Sequence, residues 1–187
     1  MENLIAYFAP YGFSPTELAA IGGSFEKKIF QKGDYFVQEG KTSRHLGFIE
    51  KGAFQYFFNY DGAERTTYVV GENGFMASLL SFFKEAPARE NIRAMTDSTA
   101  WLLSKDKLAA LQRDIPAFRA FYIGLLEWQI GCIDDSRFDL LTLSAEERYQ
   151  KMLADEPHLL QQIPLQYLAS ILGVTPRHLS RIRKNIR

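Results

Sequence analysis

The period of the apolar residues changes once along this chain, at Ser104, and that change limits the fold more than any other feature. Before it, short β-branched and aromatic runs are cut by glycine turns; after it, apolar residues recur every three or four positions. Phe25 to Phe30 is closed by Gln31-Lys32-Gly33-Asp34, Tyr35-Phe36-Val37 by Glu39-Gly40, and Leu46 to Ile49 by Lys51-Gly52. Ala53 to Tyr60 and Ala63 to Val70 flank Asp61-Gly62, a pair suited to positive φ at both centres of a two-residue hairpin. Asn91 to Met95 and Ser98 to Leu103 read as a further hairpin about Thr96-Asp97, and Ala77 to Phe83 as one short helix. Many short strands at even spacing predict a sandwich, barrel or roll. The expectation is an α+β chain: an N-terminal β-roll, a long helix, and an all-α C-terminal unit.

Beyond Ser104, Lys105 to Arg113 predicts a short helix, and Pro116 suits the first turn of a longer one. Phe118, Phe121, Tyr122, Leu125, Leu126, Ile130 and Ile133 recur at helical spacing, predicting a helix to about Arg137, roughly 30 Å long. Its apolar residues occupy more than one face. One face suits the roll and the other a parallel helix from a second copy, with Phe118, Phe121, Tyr122, Leu125, Leu126, Gln129 and Ile133 as the expected dimer seam. Leu140 to Leu143 is the expected hinge. Ser144-Ala145-Glu146-Glu147 is a capping box that opens a further helix ending near Asp155-Glu156-Pro157.

The last segment carries the clearest chemistry. Pro164 to Leu172 predicts a short helix with Leu165, Leu168, Ala169 and Leu172 on one face. Gly173 supplies the positive φ of a tight turn, Val174 an apolar plug, Thr175 an N-cap hydroxyl and Pro176 a first-turn residue. A second helix follows over Arg177 to Lys184, with Leu179 and Ile182 inward. This is helix-turn-helix spacing, in which the second helix enters the major groove. The chain has 22 Lys+Arg and 22 Asp+Glu, a balance that by itself argues against nucleic acid. From Pro164 onward, however, Arg177, Arg181, Arg183, Lys184 and Arg187 stand with no Asp or Glu. That basic tip suits phosphate attraction. The expected DNA-contacting residues are Thr175, Pro176, Arg177, His178, Ser180, Arg181, Arg183 and Lys184.

Composition excludes several other classes. A 47% hydrophobic share rules out a disordered chain. One cysteine, Cys132, forms no internal disulfide and holds no iron–sulfur cluster. Met1 to Phe13 has no basic start followed by an apolar run, and no stretch approaches the ~18 to 20 apolar residues of a membrane span, so a cytoplasmic location without membrane contact is expected.

Phe30-x-Lys32-Gly33-Asp34, Glu39-Gly40, Leu46-x-Phe48-Ile49-x-Lys51-Gly52 and Asp61-Gly62-x-Glu64 resemble the β-roll (double-stranded β-helix) of cyclic-nucleotide-binding domains. Ser144 to Tyr149, Ile163-Pro164-Leu165, Leu168-Ala169, Leu172 to Pro176 and Leu179 to Arg183 are similar to the regulator half of the Crp/Fnr family. The resemblance covers nearly the whole chain, in the family's order. It implies a cyclic-nucleotide-binding-like sensory domain over residues 1–115, a dimerisation helix and hinge over 116–143, and a helix-turn-helix domain over 144–187. It also implies a homodimer on a roughly palindromic operator in double-stranded DNA, with effector binding coupled to the recognition helices. RNA polymerase is a further partner of that reading, and no enzyme activity is expected.

Two departures shape the expectation. Cyclic-AMP-binding members carry Gly-Glu in the short helix and Arg-Ser or Arg-Ala before the next strand; here Ala77-Ser78 and Ala88-Arg89 stand at those places. Ser78 cannot replace a carboxylate at ribose, and Arg89 is one residue displaced, which in extended backbone turns it to the opposite face. Ala77, Ser78, Ala88 and Arg89 are therefore the expected effector pocket of an unknown small molecule other than cyclic AMP, with no cofactor assigned. The second departure is the end at Arg187, which leaves no room for a β-hairpin wing. Two alternatives compete. A nucleotide-like ligand-binding module could regulate a protein partner. A cupin-type enzyme would need clustered metal ligands, against which His45, His158 and His178 are scattered.

Overall fold

A computed structural model describes residues 1–186, leaving aside the side chains of residues 158, 159 and 162. Arg187, part of the basic tip, and the His158 side chain thus lie outside the described residues. Helices α1 (Glu2–Phe8) and α2 (Pro15–Ser24) precede eight strands: β1 (Glu26–Phe30), β2 (Tyr35–Val37), β3 (His45–Lys51), β4 (Phe54–Tyr60), β5 (Ala63–Val70), β6 (Phe75–Met76), β7 (Asn91–Ala94) and β8 (Ser98–Ser104), with helix α3 (Leu79–Lys84) after β6. Then come α4 (Lys105–Asp114), α5 (Pro116–Thr142), α6 (Ala145–Asp155), α7 (Pro157–Gln162), α8 (Leu165–Ile171) and α9 (Pro176–Asn185).

The strands form two antiparallel four-stranded sheets, ordered β1-β8-β3-β6 and β2-β7-β4-β5. The β4–β5 hairpin forms as expected: Asp61 and Gly62 have φ of 51° and 73°, both positive as its two-residue turn requires. The expected β7–β8 hairpin does not. β7 pairs with β4 and β2, and β8 with β1 and β3, so Thr96-Asp97 carries the chain from one sheet to the other. Asp97 is engaged there by the Lys32 amide, at 2.9 Å.

Alternation along β3 and β8 divides the core. Ile49 and Ala100 point into the roll with Phe30, Phe54, Val70 and Ile92. Phe48, Trp101 and Leu103 point out, where α1, α2, α4 and the start of α5 cover them through Leu4, Phe8, Ile21, Leu108 and Phe118. The two N-terminal helices were not foreseen, although Ser14-Pro15-x-Glu17 is a capping box whose reciprocal bonds are present. Helix α5 runs 27 residues, to Thr142 rather than Arg137. Leu140 and Leu141 are therefore helical, and the break falls at Leu143, directly before the Ser144–Glu147 capping box. The short α7 was also unforeseen.

The C-terminal helices enclose a third cluster around Tyr149, Leu160, Ile163, Leu168, Leu172, Leu179 and Ile182, which also takes in Ala53 and Val69 of the roll. Helix α8 lies on β5, an edge strand. Ser170 seals that edge: its hydroxyl accepts from the Thr66 amide at 2.8 Å and donates to the Thr66 carbonyl at 3.3 Å. Beneath it, Thr66 is bonded by Gln55, Gln55 by Arg93, and Arg93 pairs in a two-pronged fashion with Glu64.

Candidate functional site

Helices α8 and α9 are joined by a turn whose every residue has a mechanical reason. The Val174 amide donates to the Ala169 carbonyl and the Gly173 amide to the Ser170 carbonyl, the paired bonds of a Schellman stop. That stop needs a left-handed residue, and Gly173 has φ of 68°. Thr175 then caps α9 by accepting from the His178 amide at 3.2 Å, with Pro176 in the first turn. Leu179 and Ile182 are buried, and Arg177, His178, Arg181 and Lys184 are exposed together with Thr175 and Pro176. All eight expected contact residues thus share one short helix with its cap, and Arg177 and Arg181 stand one turn apart.

Two of the expected contacts have other engagements. Arg183 turns inward: its Nε donates to the Tyr149 hydroxyl at 3.1 Å and its guanidinium lies 5.7 Å from that ring. The Ser180 hydroxyl donates back to the Pro176 carbonyl at 2.9 Å. Arg148 was missed by sequence reasoning. Its guanidinium donates to the Leu143 carbonyl at 3.1 Å and the Leu172 carbonyl at 2.7 Å, clamping the end of α5 to the helix-turn-helix corner. Neither Arg148 nor Ser170 carries a motif, because each acts on backbone atoms 5 to 104 residues away.

Two cavities of about 620 and 690 Å³ lie between the roll, α3 and α5 and share the wall residues Tyr56, Tyr68, Ala77, Leu79, Trp128 and Gln129. The larger is the polar one. Ser78 and Arg89 line it with Lys84, Glu90, Cys132 and Glu156. Three of the four expected pocket residues (Ala77, Ser78, Arg89) therefore do meet here, while Ala88 is buried in the roll interior. Arg89 does not face away as extended backbone would require, because residues 89 and 90 form a bend rather than a strand. The Ala77 amide and carbonyl are already engaged by the Tyr56 hydroxyl, at 3.0 and 3.4 Å. Burial pushes the Glu90 carboxyl above its ordinary range, partly opposed by a hydrogen bond from Ser78. Burial likewise raises Glu156, with the neighbouring Asp155 charge adding to it.

The expected dimer seam divides. Phe118 and Tyr122 are buried in the chain's own core, and Phe121 and Leu126 pack against it. Leu125 and Gln129 line the cavities. Ile133 is exposed, as are Ile123, Ile130, Leu140 and Leu141. Covering the roll takes up the aromatic half of the predicted seam, which the period alone could not separate from the outer face.

Among the described residues no helix is long and apolar enough to cross a membrane, and no group of three or more His, Cys, Asp or Glu could hold a metal ion.

Residues 27–114, most of the roll, match the family profile of the cyclic nucleotide-binding domain. No curated protein sequence matches the chain. Among solved structures, the chain is similar to the catabolite activator protein of Thermus thermophilus, at 22% identity and a TM-score of 0.61 over 96% of this chain and 85% of that one. It is similar also to FixK2 of Bradyrhizobium japonicum, at 13% identity and a TM-score of 0.73 over 87% and 84%. A CooA mutant from Carboxydothermus hydrogenoformans matches at 15% identity and a TM-score of 0.71 over 97% and 83%. At such identities the likeness is one of fold: roll, long helix and C-terminal helices in one order.

Proposed function

We propose that this protein is a homodimeric, sequence-specific DNA-binding transcription regulator whose roll senses a small molecule other than cyclic AMP. The observation that carries the reading is α9, a capped ten-residue helix that buries Leu179 and Ile182 and leaves Arg177, His178, Arg181 and Lys184 in solvent. Such a face suits phosphates and guanine edges in a major groove. Residues 1–115 serve as the sensor, 116–143 as the dimerisation helix, and the remainder as the DNA-binding domain. RNA polymerase is the downstream partner of an operator-bound dimer.

The dimer seam is reassigned to the outer face of α5. Ile123, Ile130, Ile133, Arg137 and Leu140 follow steps of seven, three, four and three, the period of a two-stranded coiled coil. Ile123, Ile130, Ile133 and Leu140 are 46 to 66% exposed in the single chain, a stretch of apolar surface that a second copy would cover. Two parallel copies would present their α9 helices to successive major grooves, about 34 Å apart.

Selection of bound duplexes from a random pool, with and without cyclic AMP, tests the whole reading. The expected result is one palindrome recovered in both conditions. Failure to enrich any sequence, with dimeric and folded protein, would overturn the DNA-binding assignment. The second reading, a ligand-binding module acting on a protein partner, would then take its place.

A further inference from the structure

The 620 Å³ cavity differs in kind from its polar neighbour. Among the described residues lining it there is no Asp, Glu, Lys, Arg or His. Its walls are aromatic instead: Tyr7, Phe75 and Phe121 from the covered side, and Tyr11, Phe83 and Trp128 at the mouth. The mouth residues are 44 to 62% exposed, a costly disposition for three large aromatic rings unless something covers them. The Tyr56–Tyr68 pair, with ring centroids 5.6 Å apart, stands in the wall shared with the polar cavity. The size suits a single small molecule.

Helix α5 supports the same conclusion. Gly124 sits in its interior, where glycine costs about 1 kcal/mol relative to alanine. No close backbone approach explains it, since a Cβ there would meet nothing within 4 Å. Gly124 lines the cavity and leaves it open, as does Ala120 one turn earlier. At 3.6 residues per turn the cavity face of α5, centred on Phe121 and Leu125, lies about 150° from the Ile123–Ile130–Ile133 seam. A second copy on that seam therefore leaves the cavity accessible.

We propose that this charge-free compartment binds an uncharged, flat aromatic or alicyclic small molecule. That such a molecule is the effector rests on the regulator reading above; that it binds does not. An ionised ligand would surrender its hydration there without gaining a counter-charge. The tyrosine hydroxyls add none, because burial raises Tyr7 and Tyr122 and pushes Tyr68 up to about 12. A cyclic nucleotide would have to place its phosphate beside Arg89 in the other cavity.

The test uses the full chain, without DNA, so that ligand binding and the regulator reading can fail separately. The probe is N-phenyl-1-naphthylamine, an uncharged dye, against its anilinonaphthalenesulfonate relative, which adds one negative charge. The expected result is saturable binding of the uncharged dye at one per chain, with energy transfer from Trp128, and binding of the sulfonate at least about tenfold weaker. Cyclic AMP at millimolar concentration should not displace the dye. Placing two rings in the cavity, Ala120→Phe with Gly124→Phe, should weaken dye binding at least about tenfold. Gly131→Phe, the same change two turns on where a Cβ also meets nothing within 4 Å, should leave it unchanged. Should the paired variant unfold, Gly124→Phe alone is read in its place. Unsaturable dye uptake, equal affinity for the sulfonate, displacement by cyclic AMP, or unchanged binding in the cavity variants would each overturn the proposal.

Discussion

Helices α5 and α9 both show the outside a face that their own chain leaves bare, and the two faces are of opposite chemistry. On α5 it is a row of isoleucines and leucines with one arginine. On α9 it is three cations and a histidine with no acid. The helices are also held differently. α5 begins without a side-chain cap and relies on Phe118 and Tyr122 to anchor it, whereas α9 has a threonine cap, a proline and two buried aliphatic anchors within ten residues. Apolar surface gains most by meeting apolar surface, and cations by meeting phosphate. Under the proposed function, the two bare helical faces serve two partners of different chemistry, a second copy and a nucleic acid.

Breaking the α9 side should have the largest effect. Arg177→Ala with Arg181→Ala removes two groups able to pair with guanine, each worth about 1 to 3 kcal/mol. Specific duplex binding should fall at least about thirtyfold per half-site, measured by titration of a selected operator, while sedimentation still shows a dimer. The α5 side breaks next. Ile130→Glu with Ile133→Glu places carboxylates in a seam where each isoleucine buries about 1.5 to 3 kcal/mol of side chain. The dimer dissociation constant should rise at least about a hundredfold in sedimentation equilibrium, and operator binding should fall with it. A dimer of unchanged strength would reject the seam.

Smaller changes sharpen the contrast by probing what holds each helix in place. Ser170→Ala leaves the Thr66 amide and carbonyl without their partner, a cost of about 1 to 3 kcal/mol. Hydrogen exchange at the Thr66 amide should quicken at least about tenfold, with exchange in β3 and β8 unchanged. Thr175→Ala removes the cap of α9 and should cost about 1 kcal/mol in the unfolding of the C-terminal helices. The smallest effect is expected at Glu90. Burial raises its carboxyl, so the folded chain holds that proton more tightly than the unfolded chain, and its ionisation opposes folding as pH rises. Glu90→Gln should therefore raise Tm at pH 7, and the gain should vanish below about pH 4, where glutamate is protonated in both states.

Much of this molecule is legible in its sequence wherever a signal is local. Asp61-Gly62, the Ser144–Glu147 box and the run from Gly173 to Pro176 each specify a backbone conformation through neighbours within three residues, and each is present. The polar pocket was legible in part. Ala77, Ser78 and Arg89 meet as expected, but Arg89 does so because its segment bends. The β7–β8 hairpin failed for a related reason. Two adjacent strands with a plausible turn carry no mark of whether the chain pairs them or passes to the other sheet.

The sequence by itself determined most of the elements, the roll followed by helices, and a capped basic C-terminal helix, because turns, caps and periodicity act over a few residues. Only the tertiary structure decided which side of α5 is spent on the roll and which stays bare. It alone separated a charge-free cavity from a charged one, and seated Ser170 on the edge of β5 across 104 residues. Those outcomes depend on burial between distant segments, where one apolar residue is as good as another until packing assigns each its neighbour.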